Sequence, residues 1–390
     1  MSSSFFLLPH RRVFAAFAIY SFILGQLFTR LPAVKAEMGI GEGALGLALV
    51  GAPVGTMISL TLGAPVIERL GNRLALLIAL PVMALIYAIA IHATGPLGLF
   101  LMLIPAGVMI GAIEIVVNIE ADRTEAAMGR RIMNRSHAFW SIGFFGAGLF
   151  GALMAQLGVS PQWQLGLVLP ITLVAVWYFL RDFEPAAKRG TDNTDKAPLV
   201  ARPSLGILAL VGVSLSAMLL EGGSFDWSAV YMSEEFDTLA IMGGLAVAVT
   251  AGSQALVRFF ADTYVERFNP VRIARFMQGA MALGVLFVFL APTPLVGLLG
   301  FALIGGGTGV MFPLAMSAAA QRTDRPSAIN VAALAQFSFI AFLLGPPLLG
   351  FVAEYAGLRW TFGVILPLVV LSFLLSGKLE SDQERQAKSA

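Results

Sequence analysis

Cysteine is absent from this 390-residue chain, and charged residues are scarce at 12%. The lack of cysteine excludes a disulfide framework, a cysteine-ligated metal site and a cysteine nucleophile. A soluble chain has about 25% charged residues, so this sequence has too few charges for a water-soluble surface. The only histidines are His10, His92 and His137, and no two have the i, i+4 spacing of a helical metal site. We therefore expect no soluble enzyme, nucleic-acid partner, metal or cofactor.

Hydrophobic residues make up 58% of the chain and are concentrated in long runs. A membrane-spanning helix needs roughly 20 predominantly apolar residues. The sequence therefore predicts an all-α polytopic membrane protein, with residues 1–182 and 204–390 as two six-helix bundles and 183–203 as the polar linker. The predicted spans, numbered 1 to 12 in chain order, are 12–36, 42–67, 74–92, 98–120, 133–157, 163–181, 204–232, 238–262, 270–291, 294–318, 328–355 and 359–377.

The distribution of lysine and arginine predicts the orientation of the chain. Three of the 25 basic residues, Arg30, Lys35 and Arg359, lie on one side of the twelve spans, and the other 22 lie on the opposite side. Because cytoplasmic loops carry an excess of Lys and Arg, we expect both termini and the linker to be cytoplasmic. The expected location is the inner membrane of a bacterium, and the expected state is a monomer in the lipid bilayer.

The two halves of the chain repeat each other at a shift of about 197 residues. Gly46-Leu47-Ala48 matches Gly244-Leu245-Ala246, and GLVLP at 166–170 matches GVILP at 363–367. Six spans per half is an even number, so both halves have the same orientation. Parallel halves are related by an axis along the membrane normal, as in major facilitator transporters, where the solute site lies between the halves near the bilayer midplane.

Several motifs make a family resemblance specific. The turn after span 2 reads APVIERLGNR (64–73), a second copy follows in RFFADTYVERFNPVR (258–272), and span 7 carries EGGSFDWSAVYM (221–232). The chain resembles the major facilitator superfamily, and within it a bacterial subgroup distantly like fucose permeases. It departs from the usual pattern at Ala64, Glu68 and Glu114, where the family commonly has Gly, Asp and Asp. The resemblance implies a secondary transporter that works by alternating access.

The repeated loop motif predicts a cytoplasmic gate. Glu68 is expected to face the start of span 11, where a carboxylate can accept the free N–H groups of a helix N-terminus, and it can also pair with Arg123. Asp262 and Glu266 are expected to do the same at the start of span 5. The alternative is an ordinary solvated loop of mixed charge. The predicted gating residues are Glu68, Arg69, Arg73, Arg123, His137, Arg258, Asp262, Glu266 and Arg267.

Ionisable residues within the spans are candidates for proton coupling, because each costs at least about 2.5 kcal/mol to insert. Glu114 is the favoured proton carrier, since it lies near the middle of span 4 with Asn118 one turn further on. The alternative is a permanently charged Glu114 that pairs with Arg258 or His137. Glu221 and Asp226 in span 7 are the other candidates, and Asp226 could instead be a gate or helix-end residue.

Amide and aromatic residues in the spans suit a small polar solute, although helix packing is the alternative for each. We expect a proton-coupled carrier of such a solute. The alternatives are an exporter of an amphipathic compound and a membrane sensor or assembly protein that transports nothing. The predicted solute-binding residues are Tyr20, Gln26, Glu114, Asn118, Trp140, Glu221, Gln254, Phe312 and Gln336.

Overall fold

The computed structural model describes residues 8–187, 201–236 and 238–380, apart from the side chains at positions 262, 266 and 328. This part of the chain is helical and contains no strand. A short 3-10 helix at Ser376–Leu379 ends it. The α-helices are α1 Pro9–Phe28, α2 Leu31–Met38, α3 Glu42–Leu49, α4 Gly51–Leu62, α5 Ala64–Leu70, α6 Asn72–Ala90, α7 Pro96–Met128, α8 Met133–Gln156, α9 Pro161–Leu180, α10 Leu205–Glu234, α11 Ile241–Arg267, α12 Pro270–Leu290, α13 Pro294–Thr308, α14 Met311–Ala320, α15 Ser327–Ala356, α16 Leu358–Gly363 and α17 Leu366–Leu375.

Within these residues, twelve helical segments are long and apolar enough to cross a membrane, which confirms the predicted spans. Most consist of one helix. Spans 1, 2, 10 and 12 each combine two helices: α1 with α2, α3 with α4, α13 with α14, and α16 with α17. Proline stands at the start of several spans, for example Pro96 and Pro161, where its missing N–H has no helical partner to lose.

A proline lies just after the break in span 10. Gly309 lies between α13 and α14, and Pro313 stands four residues further on. In a continuous helix the carbonyl of Gly309 would accept the N–H of residue 313, but proline has none. This carbonyl is therefore free to bind another donor in the middle of the molecule.

The spans form two six-helix bundles, which meet along spans 5 and 8 and along part of spans 2 and 11. We call the end with most of the Lys and Arg residues the basic face, and the other end the opposite face. Near the opposite face, the first half of span 2, α3, packs on span 11. The second half, α4, packs mainly on span 4 of its own bundle. The bundles therefore close together at the opposite face.

Small residues permit this closure at equivalent positions of the repeat. A Cβ on Gly46 would lie 2.5 Å from the carbonyl oxygen of Pro346, and a Cβ on Gly244 would lie 2.5 Å from the backbone nitrogen of Ala152. Both distances are too short for a side chain, so the backbones of spans 2 and 11, and of spans 8 and 5, touch directly. Small residues have this use between membrane helices, because they let backbones approach closely.

Ion pairs also join the bundles at the opposite face. The ammonium of Lys35 in span 1 lies 2.5 Å from Glu42 in span 2 and 2.7 Å from Glu234 in span 7. The carboxylate of Glu354 in span 11 accepts the backbone N–H of Gly43 at 2.8 Å. Lys35 thus holds one acid from each bundle, and the opposite face is closed by packing and charge together.

Candidate solute-binding site

The first part of the candidate site is built around Glu114 in the middle of span 4. The hydroxyl of Tyr20 in span 1 donates to Glu114 Oε1 at 2.9 Å. The amide of Asn118, one helical turn further along span 4, donates to Glu114 Oε2 at 3.0 Å. Among the described residues, both side-chain donors to Glu114 are therefore neutral. The structure brings together three of the predicted residues, Tyr20, Glu114 and Asn118.

The second part is built around Arg258 in span 8. Its guanidinium lies 3.2 Å from Glu221 of span 7 and donates to Ser141 Oγ of span 5 at 2.9 Å. The Nε group donates to the free carbonyl of Gly309 at 3.1 Å. The side chains of Arg258 and Glu221 are 14% and 15% exposed. Arg258 thus belongs to the centre of the molecule and links both bundles, whereas sequence reasoning favoured a place in the repeated loop motif.

Aromatic and amide groups connect these two parts. The guanidinium carbon of Arg258 lies 5.9 Å from the ring centre of Trp140, and the ring of Trp140 packs near Phe225 of span 7 at 6.0 Å. Gln254 accepts the Ser141 hydroxyl at 2.9 Å. The indole N–H of Trp140 is buried and interacts with the hydroxyl of Tyr20, although it makes no hydrogen bond of good geometry among the described residues. A polar ligand could supply a better-placed acceptor.

The structure places two predicted solute-binding residues elsewhere. Gln26 is fully buried between spans 1 and 6, where Gln164 donates to its side-chain oxygen at 2.8 Å. Gln336 in span 11 accepts the backbone N–H of Ala201, which precedes span 7, at 3.0 Å. Phe312 is half-buried and packs on the apolar core. The alternative of helix packing describes Gln26 best, because its amide is used within one bundle.

Apart from Arg258, the predicted gating residues whose side chains are described lie at or near the basic face. Glu68 and Arg69 are exposed on the short helix α5, which packs on spans 2, 3 and 4. Arg73 donates to the carbonyl of Arg181 at 2.5 Å. His137 lies deeper in span 5, with its ring edge-on to Phe17 at 5.2 Å. The predicted gate needs Glu68 to face the start of span 11, whereas the half of span 2 near the basic face packs mainly on span 4. The gate therefore stays a prediction.

Two further gating candidates lie near the basic face. Arg123 lies 3.9 Å from Glu120, one turn earlier in span 4, and Arg267 is exposed at the end of α11. The side chains of Asp262 and Glu266 lie outside the described residues.

Sequence reasoning missed a buried acid near the basic face. Glu120 in span 4 is 1% exposed. It accepts from the Asn72 amide at 2.5 Å and from the backbone N–H of Ala186 at 2.9 Å. It thereby ties spans 3 and 4 to the chain that leaves span 6. Its position among the charges of IEADR (119–123) gave no sign that it is buried.

Comparison with known proteins agrees with this architecture. The family model described as Major Facilitator Superfamily matches residues 13–338 and 227–389. The chain is 30% identical over 362 residues to the uncharacterized transporter y4wD of Sinorhizobium fredii, with 92% of this chain and 95% of that protein covered.

Two solved structures share the fold. A point mutant of the nucleoside transporter NupG has a TM-score of 0.75 at 14% identity, covering 96% of this chain and all of that one. A point mutant of the Escherichia coli fucose:proton symporter FucP has a TM-score of 0.57 at 14% identity, covering 96% and 99%. These matches confirm the resemblance inferred from the loop motifs and the repeat. The chain belongs to the major facilitator superfamily, whose members are transporters rather than enzymes.

Proposed function

We propose that this protein is a secondary active transporter that moves a small, uncharged polar solute by alternating access and couples this movement to protons. Glu114 carries the proton in this proposal. The main support is the identity of the groups that bond Glu114 and Arg258. Arg258, the nearby cation, bonds Glu221, whereas Glu114 is bonded by the neutral groups of Tyr20 and Asn118. Glu114 can therefore gain a proton without breaking an ion pair.

The donors and acceptors around the site favour a solute with several hydroxyl or amide groups. Arg258 already has three partners, so it offers little to an anionic solute. Asn118 and the indole N–H of Trp140 instead suit neutral groups, and the ring of Trp140 offers a flat apolar surface. NupG is named as a nucleoside transporter and FucP as a fucose:proton symporter. Nucleosides and monosaccharides are accordingly the first solutes to test.

We further propose that the basic face is cytoplasmic and that the protein acts as a monomer of two bundles, 1–182 and 204–390, joined by the linker 183–203. The excess of Lys and Arg on that face supports the orientation. The described conformation would then be closed towards the periplasm. A tag inserted within 186–198 should react with a membrane-impermeant reagent only after the cells are permeabilised, and labelling in intact cells would reverse the orientation.

The solute class can be tested by thermal stabilisation of the purified protein with panels of nucleosides and monosaccharides. A ligand at 100 times its Kd stabilises the folded state by about 2.7 kcal/mol. Asn118→Ala should lose the stabilisation, because it removes a donor at the site. Asp182→Asn, which changes a side chain that is 61% exposed, should keep it. Stabilisation only by amphipathic organic compounds would contradict the proposed solute class.

A further inference from the structure

Three protein oxygens and an aromatic ring surround one positive charge at the centre of the molecule. The guanidinium of Arg258 lies 3.2 Å from the carboxylate of Glu221 in span 7. It donates to Ser141 Oγ in span 5 at 2.9 Å, and its Nε group donates to the carbonyl of Gly309, in the break of span 10, at 3.1 Å. The guanidinium carbon lies 5.9 Å from the ring centre of Trp140, within the range of a cation–π contact. The charge is thus surrounded by groups that attract a cation.

These groups are typical ligands of cations. Carboxylate and carbonyl oxygens bind hard cations, and carbonyls at unwound points of membrane helices coordinate cations in transporters. The hydroxyl of Ser141 donates to Gln254 Oε1 at 2.9 Å, so its oxygen is left to accept. Without a cation, the oxygens of Ser141, Gly309 and Glu221 would face each other as unpaired acceptors in a largely buried place, which is unfavourable. The site therefore needs a cation.

The ligands come from both bundles. Ser141 and Trp140 lie in span 5 of the first bundle. Glu221 and the Gly309 carbonyl lie in spans 7 and 10 of the second bundle. The Trp140 ring also packs near Phe225 at 6.0 Å, and Phe225 stands one turn beyond Glu221 towards the closed opposite face. A cation at this point therefore attracts the first bundle to the carboxylate of the second and stabilises the described conformation.

The site holds one carboxylate for its one positive charge. Glu221 is the acid that bonds Arg258. Glu114 is bonded by neutral donors instead. Asp226, the other acid of this part of span 7, is 7% exposed and has no bond to Arg258 in the described part of the chain. The pair of charges is therefore balanced within the site.

The directions of the three acceptors favour a guanidinium group. Glu221, Ser141 and Gly309 are bonded to Nη2, Nη1 and Nε of Arg258, respectively. A guanidinium presents five N–H donors in a rigid, planar fork, whereas the ammonium of lysine is a compact point charge. One guanidinium therefore serves all three acceptors at once.

We propose that these groups form a cation-binding site that fits a guanidinium, that the side chain of Arg258 is its built-in cation, and that occupancy of this site holds the two bundles in the described conformation. Closure at the centre then requires no free ion, because the charge is tethered to span 8. The inference depends neither on the identity of the solute nor on proton binding by Glu114.

The site can be emptied and refilled in the purified protein. Arg258→Ala removes the guanidinium and leaves the acceptors. Methylguanidinium chloride, which carries the same head group, is then added at millimolar concentrations, and sodium chloride at the same concentrations controls for ionic strength. The two measurements are the thermal midpoint of unfolding and the spin-label distances between spans 2 and 7 at the opposite face. Neither uses a solute or a pH gradient, so a failure of the proposed function would not affect the result.

We expect Arg258→Ala to have a lower thermal midpoint and longer distances than wild type. Methylguanidinium should bring both back towards the wild-type values in a saturable way, because it binds the folded protein at the emptied site. Adding Glu221→Gln should weaken this binding about tenfold or more, which is ~1.4 kcal/mol, because the site then lacks its carboxylate.

Arg275→Ala is the matched control. Arg275 lies over the ring of Phe373 at 5.3 Å and donates to Ser376 Oγ at 3.1 Å, but it has no acid among its partners in the described part of the chain. Its removal therefore empties a cation–π contact without leaving a buried carboxylate. Methylguanidinium should affect this variant no more than sodium chloride does.

Recovery of Arg258→Ala no greater than that given by sodium chloride would overturn the site, as would equal binding with and without Glu221→Gln. A recovered thermal midpoint with distances that stay long would overturn its role in holding the bundles. Arg258→Lys covers the case in which Arg258→Ala does not fold, because it keeps the charge but lacks the planar fork. A lower midpoint than wild type in Arg258→Lys would support the fit to a guanidinium, and an equal midpoint would overturn it.

Discussion

The ion pair between Arg258 and Glu221 offers a quantitative test of how the two bundles are joined at the site. Removing one partner of a buried pair costs about 3–5 kcal/mol, because the other charge is left uncompensated. Arg258 would keep Ser141 and the Gly309 carbonyl, and both charged side chains retain 14–15% exposure. We therefore expect Glu221→Gln to lower the free energy of unfolding by about 2–3 kcal/mol, below that full range.

A double-mutant cycle isolates the pair from these other bonds. Residues that share a hydrogen-bond network show interaction energies of about 0.5–3 kcal/mol. We expect about 2 kcal/mol between Glu221→Gln and Arg258→Gln, because the second substitution removes the unpaired charge left by the first. Reversible unfolding in mixed micelles, with increasing sodium dodecyl sulfate and circular dichroism as the signal, measures each variant.

The exposed pair of Arg181 and Asp182 provides the control. Their atoms are 3.3 Å apart, almost the same distance, but the side chains are 52% and 61% exposed. Exposed pairs contribute about 0–1 kcal/mol, so the cycle of Arg181→Gln with Asp182→Asn should give a small value. If the effects of Glu221→Gln and Arg258→Gln were additive within about 0.5 kcal/mol, the ion pair would not stabilise the site.

Two further predictions concern the ends of the spans. Lys35→Gln should increase the fraction of molecules that are open at the opposite face, because Glu42 and Glu234 then repel each other, and spin-label distances between spans 2 and 7 at that end should lengthen; unchanged distances would contradict this. Hydrogen bonds from Arg322 lower the pKa of Asp324 to about 2, below the unfolded value of about 3.9. This stabilisation is complete above about pH 4 and is lost as pH falls towards 2. The Asp324→Asn protein should therefore lose less stability than wild type between these pH values, by up to about 1 kcal/mol at this partly exposed site, and an identical loss would contradict the contact.

The architecture could be predicted from sequence because each of its signals is local or repeated. Apolar runs of span length, the distribution of basic residues and the repeat of Gly46 at Gly244 are all present without knowledge of contacts. The three basic residues on the minority side, Arg30, Lys35 and Arg359, are exceptions to the charge pattern. The structure explains each by a bond: Lys35 and Arg359 pair with acids, and Arg30 bonds a carbonyl.

The partners within the site could not be predicted, because they depend on which helix faces meet. Tyr20 and Glu114 are 94 positions apart in the chain, and Arg258 binds a carbonyl freed by Pro313, a contact that requires the exact register of span 10. Gln26 illustrates the same limit, since a polar residue in an apolar span can face the bundle interior or the site. Periodicity alone does not separate these two positions.

Transport into vesicles with and without an imposed pH gradient is the decisive test of whether protons drive solute movement through Glu114. With a solute found by the stabilisation screen, Glu114→Gln should still exchange solute across the membrane, because glutamine resembles the protonated acid. It should lose accumulation driven by the gradient, whereas Asp182→Asn should accumulate solute like wild type. Full gradient-driven accumulation by Glu114→Gln would show that Glu114 is not the proton carrier.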